Sequence, residues 1–472
     1  MKRVACVASL ALLLTACVSA PTTTPQVSKI AQTALGLGRA PMPKIGESWW
    51  KAFGDPELDS LIDRALQGNP TLQAALVRVR GAQAQLAASV AATYPQATFD
   101  GSVQRERLSK DYIIPPPYGG TTRWVGTLQA NISYSLDLFG KEEDQIARAQ
   151  ASANAAAFDA DAARLLLAGT LTQSYVALSR AWVLCDVAGE AVHQREGVLK
   201  LTAERVRAGL DTLASQRQAE ALLAVAREDL IRARAVRDVA VHQIAALIGR
   251  GADAYDIPRP SLNDAALTLP DTLPSDLLAR RADIAAAQAR IDAAMSGREI
   301  ARKAFYPDVN LIALAGTAAI GLGPLFSSEA GQYGGGAAIH LPIFDAGKLR
   351  AQYAGATADL DGAVADYNGA VVNAIKQASD GITNLRAISA EGVQQRAARR
   401  AAEESFALAT QRYRSGLNPL QSALDAEAVL IQTKRDDAAL AADTASARVA
   451  LVMALGGGFD AAKITPKDDD HE

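Results

Sequence analysis

The chain has 472 residues, of which 49% are hydrophobic but only 5% aromatic, and its formal net charge is −3. That balance gives no sign of the basic stripe expected of a nucleic-acid-binding protein, and three cysteines are too few for a disulfide framework. The abundance of Ala, Leu, Gln, Arg and Glu, all strong helix formers, points to long helices with tight small-residue contacts.

Met1-Lys2-Arg3 is basic, and Val4 to Leu14 is an apolar run of 11 residues. Such a run is too short to span a bilayer as a helix and fits a secretory signal over residues 1–16. It ends Leu14-Thr15-Ala16-Cys17, which resembles the bacterial lipoprotein signal, in which the cysteine becomes the acylated N-terminus. An ordinary signal with a chance cysteine is the alternative. Val18 follows where an aspartate would favour inner-membrane retention, so the outer membrane is expected. No other window offers 18 uninterrupted apolar residues, so no transmembrane helix is expected.

Residues 17–45, rich in Pro, Thr, Ser and Gly, read as an extended lipid-anchored tether. Trp49 and Trp50 read as packing anchors. Asp55 is placed to cap a helix starting at Pro56, with Leu58, Leu61, Ile62, Ala65 and Leu66 as its apolar stripe. A second helix runs from Thr71 to about Thr93 and ends at Tyr94-Pro95. Ala97 to Gln104 alternates apolar and polar residues, a strand pattern. Residues 109–120, with three prolines in a row, form a loop. The returning strand runs from Arg123 to Leu138, and Phe139-Gly140 breaks it. From Lys141 to about Arg207 apolar residues recur at alternating spacings of three and four, a coiled-coil repeat. A helix of that length is roughly 100 Å long. Lone Cys185 in it reads as a small buried hydrophobe.

Arg205 to Asp211 forms a turn with Gly209 as a left-handed C-cap, and a helix returns from Thr212 to Ile248. Residues 251–275 read as a linker with little regular structure. Then the pattern repeats. Tyr306-Pro307 answers Tyr94-Pro95 at an offset of 212, and Gly416 answers Gly209 at an offset of 207. Phe344-Asp345-Ala346-Gly347 answers Phe139-Gly140, and the last helix, Leu420 to Leu455, ends at a glycine run as its counterpart ends at Gly249. The chain is therefore two copies of helix, hairpin, long helix, shorter helix, over 46–250 and 276–458, with an acidic tail at 459–472.

Four long strands with one apolar and one polar face cannot close a barrel around water, and open backbone in hydrocarbon costs several kcal/mol per unpaired group. Several chains must pool strands. The alternative is a soluble sheet covered by its own helices.

These residues resemble the TolC family of outer-membrane channel-tunnels, and within it the lipoprotein branch of OprM-like or NodT-like efflux outer-membrane factors. The resemblance rests on Cys17, Trp49-Trp50 with Phe53, Asp55, Pro56 and Leu58, Asn69-Pro70, Tyr94-Pro95, Leu136 to Gly140, Leu341 to Gly347, and Arg412-Tyr413-Arg414 with Gly416 and Leu424-Asp425-Ala426. It implies a mainly α fold with a β part. Three chains would form one 12-strand β-barrel, continuing as a 12-helix α-barrel tunnel across the periplasm. It further implies a homotrimer in outer-membrane lipid, working with a periplasmic adaptor and an inner-membrane RND-type transporter. In the family the two helix–turn–helix tips close the periplasmic end. The residues that match those positions are Asp425, Tyr413, Asn418 and Ser422, with Gly209 and Gly416 as turn glycines. Ser422 stands where some members have an aspartate, and Asn418 where some have a basic residue.

No catalytic constellation is found. The histidines His193, His242, His340 and His471 are scattered, without metal-ligand spacing. Gly334-Gly335-Gly336 lacks the lysine of a phosphate loop and is expected to give curvature or close packing. No enzyme activity and no cofactor is expected. The expected function is a passive exit duct for drugs or other small molecules. A duct for a type I protein-secretion system and a lipid-anchored coiled-coil scaffold without a pore are the alternatives.

Overall fold

The computed structural model describes residues 23–38, 45–111, 113–263, 270 and 272–459. The signal segment, Cys17, His471 and the acidic tail beyond residue 459 lie outside the described residues.

Among the described residues, seven α-helices and four strands follow in the order α1 (Pro56–Gly68), α2 (Pro70–Ala91), β1 (Gln96–Arg107), β2 (Thr122–Leu136), α3 (Lys141–Arg207), α4 (Leu213–Leu247), α5 (Ala282–Lys303), β3 (Asp308–Ile320), β4 (Gly331–His340), α6 (Lys348–Arg414) and α7 (Leu420–Ala454). Matching helices of the two copies are equal in length: α2 and α5 have 22 residues each, α3 and α6 have 67, α4 and α7 have 35. None is long and apolar enough to cross a membrane, which says nothing of the strands.

Two units make up the chain. The first holds the sheet with residues 79–156 and 287–367 and the described residues up to Lys29. Its four strands lie in the order β1-β2-β3-β4, every neighbour antiparallel, and among the described residues β1 and β4 each pair on one side only. The register aligns Phe99, Ala130, Ala315 and Tyr333 across the sheet. Alternation then puts Val103, Trp124, Leu128, Ile132, Leu311 and Ile339 on that same face. The opposite face carries Thr98, Asp100, Gln129, Asn131, Ser133 and Gln332, and there Asp100 accepts from Asn131 Nδ2 at 2.7 Å. Gln129 donates to Asn131, and Gln332 Nε2 donates to Gln129 Oε1 at 3.3 Å. Gln129 and Gln332 are both opposite Gly316, so the two side chains meet over a residue that has none. A Cβ at Gly316 would fall 2.1 Å from the carbonyl oxygen of Leu128. Gly316 is therefore a close-approach glycine, held against neighbouring backbone. In the run expected to give curvature or close packing, Gly334 and Gly336 have open space where a side chain would be, and a Cβ at Gly335 would lie 3.4 Å from the Ile312 carbonyl oxygen, an ordinary contact.

Two segments depart from the sequence reading. Asp137 does not continue the strand. β2 stops at Leu136, and the Asp137 carboxylate turns to accept from the backbone N–H groups of Lys141, Glu142 and Glu143, capping α3. Asp345 does the same for α6 through Gly347 and Leu349. The tether is likewise pinned rather than free over its described first part. Asp361 accepts from the N–H groups of Gln26 and Val27, and Arg298 Nη2 donates to the Thr23 carbonyl.

The second unit comprises residues 30–78, 157–286 and the described residues from 368. Its core gathers Trp49, Trp50, Phe53, Leu58, Leu61 and Ile62 against Leu171, Tyr175 and Leu178 of α3, Ile244 of α4 and Val449 and Val452 of α7. Asp55 caps α1 through the Glu57 N–H, as its place before Pro56 predicts. Its other oxygen accepts from the Tyr175 hydroxyl and the Ser261 N–H, both at 2.8 Å. Residues 256–263 are irregular, as expected of the linker, yet they are tied down by Asp55 and by the Asn263 N–H to the Phe53 carbonyl.

Candidate functional site

The candidate site lies where α3 turns into α4 and α6 into α7. Both turns close in the same way. Gly209 (φ +71°) donates to the Val206 carbonyl and Leu210 to that of Arg205, while Gly416 (φ +75°) donates to Tyr413 and Leu417 to Arg412. Both glycines take the left-handed conformation that a side chain would strain, and the backbone bonds satisfy the last carbonyls of each long helix. Thr212 then caps α4 by accepting from the Ser215 N–H.

Side-chain chemistry breaks this symmetry. Tyr413, in the last turn of α6, is buried. Its hydroxyl lies 3.0 Å from Thr202 Oγ1 and donates to Asp211 Oδ2 at 3.1 Å. The Arg205 guanidinium stands 4.9 Å from the centre of the Tyr413 ring, and its Nε is 3.6 Å from Asp211 Oδ2. Arg205 also donates to the carbonyls of Tyr413 and Leu210. Tyr413 packs with Leu420, Ala423 and Leu424 of α7 and with Val198, Leu201 and Leu222. Thus one phenol joins α6 to α3 and to the first turn.

Burial pushes the Asp211 carboxyl up, but bonds from Ser215, the Thr212 N–H and Tyr413, with the charge of Arg205, outweigh it and hold the group below its ordinary range. The Tyr413 phenol is pushed up, first by burial and then by Asp211, against the bond with Thr202. The pair therefore stands as a phenol donating to a carboxylate, the charge-assisted form of the bond.

Of the residues singled out in the sequence, Tyr413 is in this network and Gly209 and Gly416 shape its turns. Asp425 is elsewhere: it is exposed on α7 and accepts from Gln421 Nε2 at 2.6 Å, and Gln421 accepts in turn from Gln218 of α4 at 3.1 Å. Ser422 and Asn418 are half-buried, and the Ser422 N–H bonds the Pro419 carbonyl. Sequence reasoning missed Thr202, Arg205 and Asp211 as partners of Tyr413. The signal lay in the duplication. At the offset of 207, Asp211 matches Asn418 and Val206 matches Tyr413, so the two copies differ at the two positions that bond each other.

Among the described residues, no group of three His, Cys, Asp or Glu converges as a metal site.

The family model described as outer membrane efflux protein matches residues 61–250 and 273–457, the two copies in turn. The fusaric acid resistance protein FusA of Burkholderia cepacia is 35% identical over 364 residues, covering 75% of this chain and 68% of its own. The pyoverdine export outer membrane protein OpmQ of Pseudomonas aeruginosa is 30% identical over 465 residues, covering 96% of each. The crystal structure of the outer membrane protein VceC of Vibrio cholerae superposes with a TM-score of 0.82 at 32% identity, covering 88% of this chain and all of that one. Two matched copies, one fold and a match running through both turns lead to one conclusion: the chain belongs to the outer membrane efflux protein family.

Proposed function

We propose that the chain is the passive exit duct of a tripartite efflux pump that exports drugs or other small molecules across the periplasm and outer membrane. The observation that carries this reading is the sheet, with one apolar face, an opposite face that is polar on β1 and β2 but also carries Ile312, Leu314 and Ile320 of β3, and two edges, β1 and β4, unpaired among the described residues. In hydrocarbon such edges must be paired. Three copies supplying four strands each would join β4 of one to β1 of the next and close a twelve-stranded barrel, polar face inward. The long helices would continue it as a twelve-helix tunnel. Cys17 would carry the acyl anchor, and a periplasmic adaptor and an inner-membrane RND-type transporter would supply cargo and energy. The reading needs no chemistry from the duct itself.

At the far end, the Tyr413–Asp211–Arg205 network would latch the helix pairs and hold the entrance shut. Asp425, repeated by threefold symmetry, would form a carboxylate ring selecting cations. Relatives named for fusaric acid resistance and pyoverdine export support small organic cargo over a secreted protein. The test is reconstitution of purified protein in planar bilayers together with its mass in detergent. A trimer with small, cation-favouring currents is expected. A monomer without conductance would return the chain to the scaffold reading.

A further inference from the structure

We propose that Glu427, sealed between α3, α4 and α7 beside Arg195, is a proton-responsive element that sets how tightly these three helices pack next to their turns. For its consequence the inference rests on the export-duct reading, and it gives the entrance a means of regulation.

Glu427 has 0% of its surface exposed. It follows Ala423 and Leu424, which pack against Tyr413, by one helical turn. Arg195 of α3 brings its Nε to 3.6 Å from Glu427 Oε2, a charge contact too long for a hydrogen bond, and neither carboxylate oxygen accepts a bond among the described residues. Through Nη1 the same guanidinium donates to the Leu222 carbonyl of α4 at 3.0 Å. One arginine thus joins α3 to α4 by a bond and to α7 by charge.

The surrounding charged groups are engaged elsewhere. On α3, Glu190 pairs with Lys434 and Glu196 with Arg227. On α4, Glu220 pairs with Arg217 and Asp229 with Arg435. On α6, Arg399 bridges Glu403 and Asp437, and at the end of α6 Tyr413 faces Arg205 and Asp211. On α7 itself, Asp425 is exposed and bonds Gln421. Arg195 is therefore the counter-charge that Glu427 meets.

A sealed carboxylate without donors is costly, and a single counter-charge offsets only part of that cost. Burial pushes the Glu427 carboxyl up, against the pull of Arg195. The direction follows from linkage. The packed state holds the proton more tightly than a loosened, wetted state would, so acidification favours packing. As pH rises through the raised value, a charge appears inside the seal and the three helices loosen. In a duct, current would fall on acidification and recover towards neutral pH.

The test is amide hydrogen exchange over residues 420–430 of the full-length protein in detergent, from mildly acidic to neutral pH, corrected for intrinsic exchange. The unmodified protein is expected to gain protection on acidification, on the order of threefold or more. Glu427→Gln, which resembles the protonated acid, is expected to be protected throughout with no pH response. Arg195→Met, which strips the counter-charge, is expected to move the response to higher pH. If Glu427→Gln does not fold, Glu427→Met replaces it as the non-titrating control. The same pH profile with and without Glu427 overturns the proposal. Planar-bilayer current read in parallel keeps the two readings apart. Protection that responds to pH without current leaves the proton response standing and removes the duct. Current with a flat exchange profile does the reverse.

Discussion

The Tyr175 hydroxyl donates to Asp55 across 120 residues of sequence, at 2.8 Å, inside the main core of the second unit. The same carboxylate receives the Ser261 N–H and the Glu57 N–H, so it ties the long helix α3, the linker and the start of α1 to one side chain. Burial alone would raise the Asp55 carboxyl. The bonds from Ser261, Tyr175 and Glu57 outweigh it and hold the group below its ordinary range.

Removing that carboxylate charge leaves buried donors poorly satisfied. Asp55→Asn is expected to cost about 1–3 kcal/mol and Tyr175→Phe about 1 kcal/mol, read from thermal or denaturant unfolding. Because the folded value is depressed, the contribution of Asp55 is fully present above the ordinary carboxyl range and is lost as pH falls through the folded value. Asp55→Asn should therefore flatten the acid limb of stability against pH. An unchanged acid limb would show that the group does no such work.

The latch proposed at the turns makes a separate prediction. Asp211→Ala and Tyr413→Phe each remove a bond worth about 1–2 kcal/mol, and if the network holds the duct shut, both should raise resting conductance several-fold. Asp211 is held below its ordinary range, so the stabilisation its carboxylate gives the turns is present above that range and fades as pH falls through the depressed value. The double variant should conduct little more than either single one, since both break the same bond. Additive gains would argue for two independent latches.

Asp425 stands apart from the Tyr413–Asp211 network, so under the proposed duct its effect should be on selectivity rather than on opening. Asp425→Asn is expected to weaken cation preference in reversal-potential measurements with conductance nearly unchanged. Selectivity equal to that of the parent would remove Asp425 from the conducting path.

Cys17 can be checked without any structure. Mass spectrometry of the mature N-terminus is expected to show a diacylglyceryl adduct, and Cys17→Ser is expected to abolish it. A mature chain beginning at another residue, unmodified, would reject the anchor.

Much of the fold was legible because its signals are local. Alternation over Ala97 to Gln104 marks a strand whichever chain it occurs in, and Gly209 and Gly416 mark helix ends by backbone sterics alone. Asp137 misled because it falls in phase with the polar face of β2, and its capping of α3 depends on where the strand stops. Asp361, which pins Gln26 and Val27, reads from sequence as one more exposed helix carboxylate. At the candidate site Tyr413 was visible through the family likeness. Asp211 was not, because 202 residues separate it from the phenol and no periodicity connects them. Comparing the two copies position by position would have exposed it, since selection for a bond shows where the duplication fails to match.

The equal helix lengths carry a mechanical consequence. Adding one residue to α3 alone would carry its end about 1.5 Å further and turn it by about 100°. Thr202 and Asp211 would then swing away from Tyr413, whose helix had not moved. A compensating residue in α6 would bring the two ends level again. Insertions and deletions should thus be tolerated in pairs, and the chain is proofread by ruler as well as by residue type.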